Sequence, residues 1–255
     1  MITAGIDIGA MNVKVVVLED GDVVARTQER TGFDPAAAAE KAVAAALSDA
    51  QVKSGELSAK VATGAGRKDV AADGEITEVT AAAKGIHHLH PDVRTVIDVG
   101  AEEGRGVKVG DSGSVVDFVV NEKCAAGSGA FTEAMARAIE VTLEEFGQIS
   151  LGSEKTLPMN AQCAVFAESE VVSLVHSGTP KQDIARAVHD SISSRIVSMV
   201  RRIGIEEKVA LVGGVAYNAG FHDSLERGMQ RDVIVPDNPE FVGALGAALA
   251  AAEKG

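Results

Sequence analysis

The sequence predicts an α/β protein built as two similar lobes. Short runs of alternating apolar residues, which mark strands, are interleaved with longer stretches at helical spacing. A strand ending Asp7-Ile8-Gly9 is echoed by one ending Asp98-Val99-Gly100, as an internal duplication of a strand–turn–strand unit requires. At 255 residues the chain is long enough for each half to bury a core of its own.

The elements follow in order. Ile6 and Ile8, then Val13, Val15 and Val17, alternate around a turn at 9–12 and predict a hairpin. The acidic turn at 19–22 returns the chain into a strand at 23–26. Asp34 supplies an N-cap and Pro35 a first-turn proline for an Ala-rich helix running to about Ala50. A strand at 60–63 ends in the glycine turn 64–66, and a helix at 78–90 is closed by Pro91. The pattern then restarts, with strands at 95–99, 107–109 and 115–120. Helices are expected at 128–140 and 163–176, the second closed by Gly178. Thr179 and Pro180 open a long helix that carries Ile184, Val188, Ile192, Ile196 and Val200 on one stripe. A strand at 209–212 runs into Gly213-Gly214, followed by a helix at 218–229, a strand at 233–235 and a last helix at 239–253. The lobes are expected at 1–95 and 96–255, with the last helix packing back on the first.

A formal net charge of −13 argues against a nucleic-acid backbone or an anionic membrane surface as the main partner. No apolar run reaches the roughly 18–20 residues of a membrane-spanning helix, and residues 1–17 do not resemble a signal peptide. A cytoplasmic protein is expected, where the two cysteines would rarely form a structural disulfide.

Three glycine turns follow three strands: at Gly9, at Gly100 and at Gly213-Gly214. Glycine lacks the Cβ that would keep phosphate oxygens from backbone N–H groups. Asp7 and Asp98, each at a strand end, suit water-mediated contact with Mg²⁺, and Lys14 adds charge near the phosphates. No GxxxxGK[ST] loop and no GxGxxG after the first strand occurs, which removes the commoner nucleotide motifs. The arrangement resembles the actin-like ATPase superfamily, a duplicated ribonuclease H-like fold. That resemblance implies a first phosphate segment with Asp7, Gly9, Asn12 and Lys14, and a second with Asp98 and Gly100. It also implies an adenosine segment with Gly213, Gly214, Val215 and Asn218, a cleft between two lobes, and ATP with Mg²⁺ as ligand.

The cysteines stand at predicted helix starts, Cys124 in NEKCAAGSG and Cys163 in QCAVFAESE. Helix N-termini favour thiolate, and small neighbours such as Gly127 admit a bulky group. A [4Fe–4S] cluster takes four thiolates, so two chains would be needed; a tetrahedral zinc site meets the same ligand count. His87, His88 and His90 sit at a helix end and read as structural.

The segments NEKCAAGSG and CAVFAESEV, with VGGVAYNAG and GALGAALAA, closely resemble those of the ATPase activators of 2-hydroxyacyl-CoA dehydratases and the related ATPase subunits of benzoyl-CoA reductase. The resemblance implies a homodimer, or a heterodimer with a paralogue, that bridges one [4Fe–4S] cluster through Cys124 and Cys163 of each chain. It implies ATP-driven electron delivery to an acyl-CoA dehydratase or aroyl-CoA reductase, with ferredoxin or flavodoxin as donor. Where the activators show Gly-Gln-Asp after the second Asp-x-Gly, this chain has Ala101-Glu102-Glu103. Glu102 and Glu103 are therefore the candidates for orienting the attacking water, and the departure tilts the reading toward the benzoyl-CoA-reductase type. A small-molecule kinase on the same fold and a non-enzymatic nucleotide-bound scaffold are the rival readings.

Overall fold

The computed structural model describes residues 1–121, 128–159 and 164–254. The chain divides into two compact units. Unit one comprises Met1–Val93, Val109–Val116 and Glu240–Gly255; unit two comprises Arg94–Lys108 and Asp117–Pro239. The first half of the chain runs β1 (Ile2–Ile8), β2 (Asn12–Glu19), β3 (Asp22–Arg30), α1 (Pro35–Asp49), β4 (Leu57–Thr63), β5 (Gly74–Glu75) and α2 (Glu78–Leu89). The second opens with β6 (Thr95–Val99), β7 (Gly104–Val109) and β8 (Val115–Asn121). Helices α3 (Gly129–Ala138), α4 (Leu143–Ser150), α5 (Ala164–His176) and α6 (Lys181–Val200) follow, then β9 (Val209–Val212), α7 (Ala219–Met229), β10 (Val233–Ile234) and α8 (Val242–Ala252).

The two sheets repeat one topology. The first has the order β3-β2-β1-β4-β5 and the second, read from its other edge, β8-β7-β6-β9-β10. In each, the first strand pairs antiparallel with the second and parallel with the fourth. The duplication expected from the two Asp-x-Gly turns therefore extends to every strand position.

Strand β1 is covered on both faces, so its apolar residues run almost without interruption instead of alternating. Ile6, Ile8, Val13, Val15 and Val17 pack with Ala39, Ala42, Ala46 and Leu47 of α1. Val16 and Leu18, of opposite parity on β2, pack with Ala244, Leu245 and Ala248 of α8. The small residues of α8 have a physical reason: the helix lies directly on backbone. A Cβ on Gly5 would sit 2.0 Å from the Ala244 carbonyl oxygen, one on Gly246 1.9 Å from that of Ala81 in α2, and one on Gly85 2.1 Å from that of Val242.

In unit two the stripe of α6 is buried as expected: Ile184, Val188, Ile192, Ile196 and Val200 are at most 1% exposed. They form one core with Phe131, Phe146 and Phe221 from α3, α4 and α7. Several boundaries differ from the expectation. Strands β3, β4 and β7 are longer than expected, because cross-strand bonds carry polar residues such as Thr27 and Arg105 into the ladder. Pro239–Phe241 form a 3-10 turn before α8. Helix α4 has no counterpart among the expected elements, although Thr142 and Glu145 form a complete capping box at its start. Among the described residues no helix is long and apolar enough to cross a membrane.

Candidate phosphate turns

Each unit holds the same polar constellation at the end of its first strand. In unit one the Gly9 N–H donates to the Asn12 carbonyl at 3.0 Å and closes the β1–β2 turn. Antiparallel register places Asp7 opposite Lys14, and Lys14 Nζ donates to Asp7 Oδ2 at 3.2 Å. Both side chains are less than a fifth exposed, which weakens solvent screening of the pair. Thr31 braces the turn from the end of β3, its hydroxyl donating to the Gly9 carbonyl at 2.7 Å and its N–H to that of Met11 at 3.1 Å.

In unit two the Gly100 N–H donates to the Glu103 carbonyl at 2.9 Å. Asp98 faces Arg105 in register, and Arg105 Nη1 donates to Asp98 Oδ2 at 3.2 Å. The second guanidinium nitrogen donates to Glu103 Oε2 at 2.6 Å. Here the brace comes from α3: the Gly129 and Ala130 N–H groups donate to the Gly100 and Ala101 carbonyls, both at 2.9 Å.

The correspondence continues one strand further. Parallel strand β4 ends in Gly64, at φ +92°, where a Cβ would sit 2.4 Å from the Ile8 carbonyl oxygen and 2.7 Å from Asp7 Oδ1. Parallel strand β9 ends in Gly213, at φ +88°, where a Cβ would sit 2.4 Å from the Val99 carbonyl oxygen and 2.8 Å from Asp98 Oδ1. Only glycine meets both the left-handed backbone and this close approach.

The glycine N–H groups at 9 and 100 thus close the turns themselves and do not face outward. The amides that follow, of Ala10 and Met11 in one turn and Ala101 and Glu102 in the other, make no hydrogen bond among the described residues. Such adjacent unpaired N–H groups are suited to an anionic ligand. Beyond Gly213, Gly214–Tyr217 form a 3-10 turn. A Cβ on Gly214 would meet nothing within 4 Å, whereas one on Gly129 would sit 3.2 Å from Val215 Cγ2. The Asn218 side-chain oxygen is committed as the N-cap of α7, accepting from the Phe221 N–H at 3.0 Å. Its Nδ2 is buried without a partner among the described residues.

Arg105 and Gly64 belong to this constellation and are absent from the site residues expected from the sequence. The signal for the first is a spacing: Arg105 lies as far beyond Asp98 as Lys14 lies beyond Asp7. Cys124, Gly127 and Cys163 lie outside the described residues. Their flanks are described. Ser128 is the N-cap position of α3, and α5 begins at Ala164, the residue after Cys163. The stretch leading toward Cys163 is fastened to α6. Ser153 Oγ and Lys155 Nζ donate to Asp183 at 2.7 and 2.8 Å, and Arg186 donates to the Ser153 carbonyl at 2.6 Å. The Lys155 and Ser153 hydrogen bonds hold the Asp183 carboxyl below its usual range.

A model of the BadF/BadG/BcrA/BcrD ATPase family matches residues 4–251. The chain belongs to that family. Membership makes it an ATPase. It is 40% identical over 255 residues to the activator of lactoyl-CoA dehydratase of Anaerotignum propionicum, covering 99% of this chain and 98% of that one. To a benzoyl-CoA reductase component of Thauera aromatica it is 32% identical, covering 97% and 92%. Identity is therefore higher to the activator than to the reductase component. Among solved structures, the activator of 2-hydroxyisocaproyl-CoA dehydratase from Clostridium difficile with bound ADPNP superposes with a TM-score of 0.93. That match is at 36% identity and covers 100% of this chain and 95% of that chain. The fold class read from the sequence, the duplicated α/β fold of actin-like ATPases, is the fold of this BadF/BadG/BcrA/BcrD family member.

Proposed function

We propose that the chain is an ATP-dependent electron-transfer protein that serves a 2-hydroxyacyl-CoA dehydratase or a benzoyl-CoA-reductase-type partner. The observation that carries the reading is the repeated turn, with its part-buried carboxylate–cation pair and adjacent unpaired amides. It occurs in a chain whose relatives bear the names of dehydratase activators and of a benzoyl-CoA reductase component.

In this reading Asp7 and Asp98 hold water on Mg²⁺. The amides of residues 10–11 and 101–102, with Lys14, bind the phosphates, and Glu102 or Glu103 orients the attacking water. Gly213, Gly214, Val215 and Asn218 belong to the adenosine segment. A Cβ on Gly214 would meet nothing within 4 Å, which leaves room beside that stretch of backbone.

Cys124 and Cys163 of two chains, identical or paralogous, would hold a shared [4Fe–4S] cluster. The donor set fits in kind and number: one thiol precedes α5 directly in the sequence and the other precedes α3 by five residues, so two chains supply four thiolates. When bound, the cluster supplies a single low-potential electron. A cytoplasmic location, with ferredoxin or flavodoxin as donor, belongs to the same proposal.

The test is iron and sulfide content, visible spectrum and native mass of anaerobically purified protein. About two irons per chain in a dimer that bleaches with dithionite is the expected result, since four irons are shared by two chains. Protein that stays colourless after anaerobic iron–sulfur reconstitution overturns the proposal.

A further inference from the structure

The two turns differ in one respect that bears on hydrolysis. In unit one the position that closes the turn is the neutral Asn12, and Asp7 faces a lysine. In unit two the closing position is Glu103, two carboxylates face the cation, and the cation is arginine. A lysine ammonium is a point charge, whereas a guanidinium presents a planar fork that can hold two carboxylates at fixed angles. Arg105 does so, with Asp98 at 3.2 Å and Glu103 at 2.6 Å, and its side chain is 13% exposed. Glu102, next in the chain to Glu103, is exposed and makes no hydrogen bond or ion pair among the described residues. Its backbone is nonetheless fixed, because the carbonyls of Gly100, Ala101 and Glu103 are all engaged.

We infer that Arg105 is the positioning residue of the second turn. It aims Asp98, withdraws Glu103 from chemistry, and leaves Glu102 as the carboxylate that orients and deprotonates the attacking water. This rests on the reading of the turn as a phosphate segment. In the step, the water oxygen bonds to the γ-phosphorus and the bond from that phosphorus to the β,γ-bridging oxygen breaks. The electron pair leaves with ADP, and the water proton passes to the Glu102 carboxylate and from there to solvent. An ionised carboxylate can take that proton, which an amide cannot.

The experiment is steady-state ATPase kinetics on the purified full chain carrying E102Q, E103Q, R105Q and R105K, with D98N as control. E102Q is expected to lower kcat about a hundredfold at nearly constant KM, and E103Q less than about tenfold. R105Q is expected to lower kcat about a hundredfold, and R105K to recover part of the loss because one ion pair is kept. Because Glu102 is exposed, E102Q keeps the test valid even where R105Q does not fold. Equal losses in E102Q and E103Q, or an R105Q variant with raised KM and unchanged kcat, overturn the inference. A wild-type chain without ATPase activity, or D98N as active as wild type, overturns instead the phosphate reading beneath it.

Discussion

Acidification should destabilise this protein through one buried ring. His189 of α6 is fully buried, its ring centroid 4.8 Å from that of Phe146, and neither nitrogen closes a well-formed hydrogen bond among the described residues. Loss of hydration lowers its pKa from 6.5 to about 4. The Ala185 backbone, Asp190, Asn218 and Asp223 favour the charged ring but do not outweigh burial. Between these two values the unfolded chain binds a proton that the folded chain refuses. Stability is therefore complete above pH 6.5 and falls as pH drops toward 4, at a slope approaching about 1.4 kcal/mol per pH unit. The whole window amounts to about 3 kcal/mol, a large share of the roughly 5–15 kcal/mol typical of a folded protein. Urea unfolding of wild type and His189→Gln at steps between pH 7.5 and 4 isolates the contribution, since the carboxylates titrate in both. The wild-type curve should be steeper by that amount. Parallel curves, or a folded-state ring titration midpoint near the ordinary histidine value by NMR, would refute the reasoning.

Four further outcomes follow from the same structure. Gly64→Ala and Gly213→Ala each force a side chain into a left-handed backbone against a carbonyl oxygen, and each should cost about 2 kcal/mol in urea unfolding. Gly246→Ala pushes α8 off Ala81 and should lower the melting temperature, with about 1–3 kcal/mol lost. Asn218→Ala removes the cap of α7 and should cost about 1 kcal/mol in urea unfolding. Cys124→Ser and Cys163→Ser should each abolish iron retention while leaving ATP binding measurable, which iron analysis beside nucleotide titration checks.

Much of the fold was legible because it is written in local periods. Alternation around Ile8 and Val13 marks the first hairpin, the stripe from Ile184 to Val200 marks a helix, and Asp34-Pro35 marks its own helix start. Other parts were hidden for identifiable reasons. Strand β5 is two residues held by a neighbour and has no period of its own. Helix α4 is short, and its capping box was the one local signal. The need for glycine at 85 and 246 has no local signal, because it arises from Val242 and Ala81 on the neighbouring helix, where any larger side chain would collide with backbone.

The site divides in the same way. The sequence by itself determined the duplicated Asp-x-Gly turns, because strand ends and glycine turns are set by neighbours a few residues away. It also places one cysteine in the segment before α3 and the other directly before α5. Only the tertiary structure decided which charges meet. That Lys14 neutralises Asp7, that Arg105 takes both Asp98 and Glu103, and that Gly64 presses on Asp7 as Gly213 does on Asp98 depend on cross-strand register and on parallel strands distant in sequence. An ion pair is fixed by distance in space, and a one-residue slip of either hairpin would have turned the cation to the opposite face of the sheet.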